Sequence, residues 1–294
     1  MSDKSLVAAW YDQNASLEHS RLIDNRLEYS ITLRAIDHTI SQFPLYSPLK
    51  IADIGGGTGR YGSPLPLLQS FQTKKPPAVE LAKRGHKVTL SDISSSELEL
   101  ARQYTKSENV SLEDVIQADA SQLRSTFSSF REEEYDIVLL LGPLYHLLEE
   151  QERLNALQDC AAMLKKGGTL IAAFVTKYAH LRDLAQRDPK RLFREKAFYE
   201  GYLGDGKYTR NPATVSFHMD VGEIRGLFEK VGEPKLEVKR VVGCEGFLGG
   251  ELSKGLDGLG EEEYETWVDV VWDMAGDRSV LGASDHMLVV AKRG

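Results

Sequence analysis

Three consecutive glycines, Gly55-Gly56-Gly57, end a short apolar run, Ile51-Ala52-Asp53-Ile54, and Thr58-Gly59 follow. Glycine accepts positive φ and carries no Cβ, so such a turn lets main-chain N–H groups come up against a ligand. A buried strand, a glycine turn and a helix start make the layout of a nucleotide-binding loop in an α/β fold. Gly55-x-Gly57-x-Gly59 suits an adenosylmethionine loop, whereas Gly57-x-Gly59-x-x-Gly62 suits a dinucleotide fingerprint. The loop alone leaves both open, beside a plain structural turn. Asp53, unusual in an apolar strand, can fix the loop by accepting backbone N–H bonds. Asp92 closes the next apolar stretch, Lys87–Leu90, where a carboxylate can accept from two ribose hydroxyls, with Ile93 beside it. Asp119 follows a third strand, Asp114–Gln117; it can accept from an adenine amino group or cap a helix opening at Ala120. His146 and Tyr145 lie just past a fourth strand, in Gly142-Pro143-Leu144-Tyr145-His146. An imidazole there can take a proton from a nucleophile or simply bond the backbone, and Tyr145 can orient a substrate or cover the ligand.

These groups need strands that end on one edge, and the pattern supplies them. Leu49–Ile54 shows almost no alternation, as expected for a parallel strand buried on both faces. Tyr135–Leu141 (YDIVLLL) and Thr169–Val175 (TLIAAFV) are further buried strands. Between them Ala78–His86, Glu97–Lys106, Ala120–Phe130 and Glu149–Leu164 read as helices, the last stopped by Lys165-Lys166-Gly167-Gly168. Strand and helix in alternation predict a doubly wound sheet whose ligands lie at the carboxyl ends of the strands. From Gly55 to Asp92 is 37 positions, where about 20 are expected. The proline-bearing stretch Ser63–Pro77 therefore reads as an insertion next to the loop, either an added surface loop or a short untranslated piece kept in the gene model.

The flanks read as a roof. Residues 1–46 are expected to form an N-terminal helical lid, with Tyr11 and Arg21 as substrate-side candidates. Residues 47–176 form the ligand-binding core. Residues 177–234 are rich in aromatic and histidine side chains, Tyr178 and His218 among them, and read as a cap over a substrate pocket. Residues 235–294 are expected to supply closing strands with a helical insertion, Glu261–Ala275, whose apolar face reads as Trp267, Val270, Val271 and Met274. Glu245, in the glycine-rich loop Gly243–Gly250, is a further substrate candidate.

The 294 residues carry a net charge of −8, which gives no overall electrostatic footprint for nucleic acid or anionic lipid. Two cysteines, Cys160 and Cys244, make no disulfide framework and suggest a reducing compartment. Neither a secretory apolar core at the N-terminus nor a run of ~20 apolar residues is present, so the chain reads as cytoplasmic, with no membrane partner. No zinc-type or calcium-type spacing occurs, and no metal is expected. Oligomeric state is not legible.

IADIGGGTGRYG, VTLSDIS, IQADAS, YDIVLLLGPLYHLL and MLKKGGTLIAAF, in that order, resemble the class I S-adenosylmethionine-dependent methyltransferases of small-molecule type. The resemblance covers Leu49 to Val175, and Lys235–Val242 with His286–Lys292 resemble that family's closing antiparallel pair. It implies a Rossmann-like, mostly parallel seven-stranded sheet with an antiparallel last strand. It implies S-adenosylmethionine as cofactor and a small molecule as acceptor. Gly55, Gly57 and Gly59 would let the main chain approach the methionine part, Asp92 would hold the ribose, Asp119 and Ala120 would flank the adenine, Leu141 or Gly142 would lie beside the sulfonium, and Asp53, Gly56 and Ile93 complete the expected cofactor-binding set. No Asn/Asp-Pro-Pro-Tyr sequence is present, which weakens any case for DNA bases. A nicotinamide-dependent oxidoreductase and a non-catalytic adenosylmethionine-binding protein are the alternatives.

Overall fold

The computed structural model describes residues 26–44, 47–57, 77–210 and 215–294. Its strands are β1 (Lys50–Ile54), β2 (Lys87–Asp92), β3 (Asp114–Gln117), β4 (Tyr135–Leu140), β5 (Leu164–Val175), β6 (Lys207–Tyr208), β7 (Ser216–Phe217), β8 (Leu236–Gly243) and β9 (His286–Arg293). Seven form one sheet in the order β3-β2-β1-β4-β5-β9-β8. β1 to β5 run parallel, and β9 is antiparallel to both β5 and β8. A dinucleotide-binding sheet continues in parallel as 3-2-1-4-5-6. The inserted antiparallel β9 is therefore a departure from the oxidoreductase alternative.

Both faces of the sheet are covered, which is why its strands lack alternation. On one face Ile51, Val88, Leu139, Ile171 and Leu288 pack with α1 (Arg26–Ile40), α2 (Pro77–Lys83), α3 (Ser95–Ser107) and α8 (Glu261–Met274). On the other, Ala52, Val138, Leu170 and Val289 pack with α4 (Glu150–Met163) and α7 (Val221–Glu229). The described part of the expected lid, α1, is thus a layer of the core, through Leu27, Ile31, Ala35 and Ile36. Local chemistry sets the helix starts. Ser94 Oγ accepts the Glu97 N–H at 3.1 Å, and Thr176 Oγ1 accepts the Ala179 N–H at 3.1 Å.

Three expectations shift. Lys165–Gly168 belong to β5 rather than to a helix stop; Tyr135 pairs with Leu164 and Ile137 with Thr169, so these four residues bulge out of the ladder. Ala120–Phe130 is a 3₁₀ turn followed by one short helical turn, Leu123–Thr126. On α8 the buried stripe is Tyr264, Val268 and Val271, while Trp267 is 39 % exposed. Both stripes have helical spacing; contact with α1 chooses the first, because Tyr264 Oη meets Ser30 Oγ at 3.2 Å and its ring lies under the Arg26 guanidinium.

The segment expected as a cap holds α5 (Lys177–Arg187), α6 (Lys196–Asp205) and the β6–β7 ribbon. It has its own small core of Leu184, Tyr199 and Tyr202. No helix among the described residues is long and apolar enough to cross a membrane.

Candidate active site

The carboxyl ends of β1, β2 and β4 converge. Gly55 and Gly57 adopt φ of 69° and 60°, a region costly for any residue with a Cβ. The Gly55 and Gly56 N–H groups donate to the Ser91 carbonyl at 2.7 and 3.1 Å, and Gly57 N–H donates to Asp92 Oδ2 at 2.9 Å. Among the described residues Asp92, and not Asp53, bonds the loop; its Oδ1 also accepts the Ser94 N–H at 2.9 Å, tying the loop to the start of α3. A Cβ on Gly55 would stand 2.2 Å from Pro143 Cγ, and one on Gly142 would stand 3.0 Å from the Gly55 carbonyl and 3.9 Å from Tyr145 Oη. Glycine at both positions lets the β1 and β4 ends touch.

Asp53 is buried beneath this turn. A Cβ on Gly56 would meet its carboxylate at 2.7 Å. No hydrogen bond reaches that carboxylate among the described residues; burial and then the Asp92 charge push it up to about 7. Glu97, which sequence reasoning missed, is also buried here, with Oε2 3.6 Å from where a Gly57 Cβ would lie. Its only sequence signal was an acid in a helix first turn.

Ile93 is half-buried, and its carbonyl accepts from Gln117 Nε2 at 3.0 Å. Asp119 Oδ1 accepts the Ser121 N–H and Oγ–H at 2.8 and 2.7 Å, so capping engages it beside the buried Ala120. Leu141 is buried at the β4 end. The His146 ring contacts that of Tyr145 at 4.8 Å between centroids, and His146 Nδ1 lies 3.2 Å from the Val215 carbonyl. A carbonyl only accepts, so Nδ1 is the donor in this contact. Tyr11, Arg21 and Gly59 lie outside the described residues, as do residues 58–76.

The remaining substrate candidates are His218, Tyr178 and Glu245. His218 is buried in the cap, with Nδ1 2.7 Å from Tyr202 Oη and Nε2 3.0 Å from Ser216 Oγ. Burial, then the charges of His180, His286 and His146, lowers its pKa to about 3, so it packs as a neutral ring. Tyr178 is 43 % exposed, on an outer groove with Leu181, Arg182, Ala185 and Gly282. Glu245 is fully engaged: Oε2 accepts from Ser284 Oγ and from the Asp285 and His286 N–H groups at 2.7, 3.0 and 2.9 Å, and Oε1 lies 2.6 Å from His286 Nδ1.

Glu28, Glu245 and His286 bring ligand-type atoms within 4.8 Å of one another. The 2.6 Å separation of Nδ1 and Oε1 is that of a hydrogen bond. Two ligands sharing one ion at 2.0–2.2 Å stand about 3 Å apart. Neither Glu28 nor His286 was singled out in the sequence, since they are 258 positions apart and meet only through the fold.

Residues 77–168 match the model of a family described as a methyltransferase domain. The match begins at Pro77, the last residue of the proline-bearing stretch, and does not include the glycine loop. Among solved structures, magnesium protoporphyrin IX methyltransferase from Synechocystis, crystallised with SAH, is 16 % identical, with 99 % of this chain and 100 % of that one covered and a TM-score of 0.57. A SAM-dependent methyltransferase from Methanosarcina mazei is 19 % identical, covering 86 % and 96 %, with a TM-score of 0.52. A possible histamine N-methyltransferase from Thermotoga maritima is 16 % identical, covering 97 % and 99 %, with a TM-score of 0.51. At these identities the likeness is one of fold. The chain has no match among curated proteins.

Proposed function

We propose that this chain, a methyltransferase of the S-adenosylmethionine-dependent class by its domain and its fold, moves a methyl group from S-adenosylmethionine to an oxygen or nitrogen atom of a small molecule, ahead of sulfur or carbon, by in-line displacement. The observation that carries the reading is the turn Gly55–Gly57 bonded to Asp92 at the meeting of the β1, β2 and β4 ends. The residues fit the group: a turn without side chains, and the buried Asp53 carboxylate, which lacks a hydrogen-bond partner among the described residues. That is an environment in which a bound cation is favourable.

When bound, the cofactor supplies a methyl group already activated on a sulfonium. What the protein adds is placement. Gly55 and Gly57 would let the main chain approach the methionine part, with Asp53 beneath it. Asp92 would accept from the ribose hydroxyls at the end of β2. The Leu141–Gly142 end of β4 would border the reacting centre. Tyr145 and the cap would exclude water, which competes as nucleophile and solvates the acceptor. His146, held by the Val215 carbonyl, would serve as the base for the acceptor's proton, an effect of about 10²–10⁴-fold for such a base.

Isothermal titration with S-adenosylmethionine, S-adenosylhomocysteine and NADH tests the cofactor. Binding of the first two is expected; binding of neither overturns the reading. Small-molecule extracts incubated with methyl-labelled cofactor then test turnover. Intact binding with no labelled product from any extract would make the chain a non-catalytic adenosylmethionine-binding protein.

A further inference from the structure

His286 opens β9 at the carboxyl edge of the parallel strands, paired with Val175, the last residue of β5. It precedes Leu288 by two residues, so both side chains leave the sheet on the face covered by α1, which carries Glu28. The ring is held from one side. Nδ1–H donates to Glu245 Oε1 at 2.6 Å, and Glu28 Oε2 stands 3.8 Å from the same nitrogen. Glu245 is itself fixed by Ser284 Oγ and two backbone N–H groups, so both of its oxygens are used in orienting the ring. Nε2 makes no hydrogen bond among the described residues, and the side chain is 26 % exposed. Burial works to remove the ring's charge, but Glu28 and then Glu245 outweigh it and push the pKa up to about 10. The ring is therefore an imidazolium throughout the neutral range, with Nε2–H as a charged donor.

Its place relative to the proposed reacting centre follows from strand order. β9 lies two strands from β4, through β5. At ~4.8 Å per strand the offset is about 10 Å along the edge. His146 and His286 are both close enough to His218 for their charges to act on it.

We propose that His286, oriented by Glu245, is a fixed cationic donor that anchors an anionic oxygen of the methyl acceptor, a carboxylate or phenolate, about 10 Å from the atom that is methylated. The proposal rests on the methyltransferase reading above and narrows its substrate to molecules with a nucleophile at one end and an oxyanion at the other. An anion is favoured over a cation because the group presented is an N–H, while the Glu245 oxygens are already taken. Glu245 is a positioning residue: it holds the ring and keeps the proton on Nδ1.

The test uses the full chain saturated with S-adenosylhomocysteine. Long-range ¹H–¹⁵N spectra of the histidine rings are followed during titration with acetate, acetamide and methylammonium, probes small enough to enter whatever the pocket's shape. Acetate is expected to shift the His286 Nε2 resonance saturably, and acetamide and methylammonium are expected to leave it unmoved. His286→Gln keeps an N–H donor without the charge and is expected to weaken acetate binding at least tenfold with adenosylhomocysteine affinity unchanged. Glu245→Gln is expected to move the ring's titration downward, which loss of packing alone would not do. No acetate response, an equal response to acetamide, or a preference for methylammonium overturns the proposal. So does displacement of the Nδ1 proton by Mn²⁺ or Zn²⁺ at micromolar concentration, which would make the triad a metal site. Failure to bind adenosylhomocysteine at all is a separate outcome, and overturns the methyltransferase reading instead.

Discussion

Asp53→Asn is expected to stabilise the ligand-free protein, although it alters the buried end of a core strand. Asp53 is 2 % exposed, and burial with the Asp92 charge raises its pKa from 3.8 to about 7. Between those values the folded chain keeps a proton that the unfolded chain has lost, so stability falls as pH rises from 3.8 to about 7 and stays low above it. At 1.36 kcal/mol for each pH unit the penalty at pH 8 is about 4 kcal/mol. Asparagine is close to the protonated acid in shape and escapes the penalty. With an unfolding entropy of about 2.1 cal/mol/K per residue, the gain in melting temperature at pH 8 is about 6–7 °C. Melting curves of both proteins from pH 4 to pH 8.5, without ligand, make the measurement. The difference should be near zero at the acid end and grow through pH 5–7. A variant that melts with or below the wild type at pH 8, or a gap that does not change with pH, refutes the argument that a charge is being buried there.

Three further substitutions probe the same edge. Asp92→Ala removes the acceptor of the Gly57 and Ser94 N–H groups. A loss of about 1.5–3 kcal/mol is expected, which by titration is a roughly 10- to 150-fold weaker adenosylhomocysteine complex, and unchanged affinity would take Asp92 out of the site. Gly55→Ala puts a Cβ 2.2 Å from Pro143 Cγ at a φ of 69°. Urea unfolding should show a loss of about 2–4 kcal/mol, and a loss below 1 kcal/mol would mean the β4 end gives way freely. His146→Ala is expected to lower turnover about 10²- to 10⁴-fold with cofactor affinity kept, in single-turnover assays; equal turnover would leave His146 only its bond to Val215.

The glycine loop, Asp92 and the buried strands were legible because each depends on local rules: positive φ needs glycine, and a strand covered on both faces needs an unbroken apolar run. What failed locally was choice between equals. Of the expected face Val271 is buried, but Trp267, Val270 and Met274 have the same helical spacing as Tyr264, Val268 and Val271 and lie exposed, and only the partner helix α1 decides which stripe is buried. Lys165-Lys166-Gly167-Gly168 reads as a helix stop, yet the chain goes straight into β5. A Cβ at Gly168 would stand 2.9–3.0 Å from the Lys165 and Asp136 carbonyls, so the glycine there answers to a neighbouring strand, not to a helix end. Asp53 was expected to bond the loop. That role passes to Asp92 and the Ser91 carbonyl because β2 ends beside the turn, a pairing that no single segment reveals.

The proposed substrate side was least legible, since it is assembled from residues far apart in the chain. Glu245 was singled out as a ligand contact from its place in a glycine-rich loop, but its partners come from Ser284 to His286, across an antiparallel pairing. The register of β9 is what matters. Val175 faces His286 and Ala173 faces Leu288, so the imidazole leaves the sheet on the face of Glu28 and α1. A slip of one residue would turn His286 to the opposite face and put Met287 against Glu245, leaving a carboxylate buried without its cation. The same ion pair that would present the imidazolium to an acceptor therefore also penalises the wrong pairing of the strand. Glu245→Leu with His286→Leu should test this double role: the pair replaced by apolar side chains keeps the fold if packing alone sets the register, and gives a mixture of registers, visible in β5–β9 amide exchange, if the ion pair sets it.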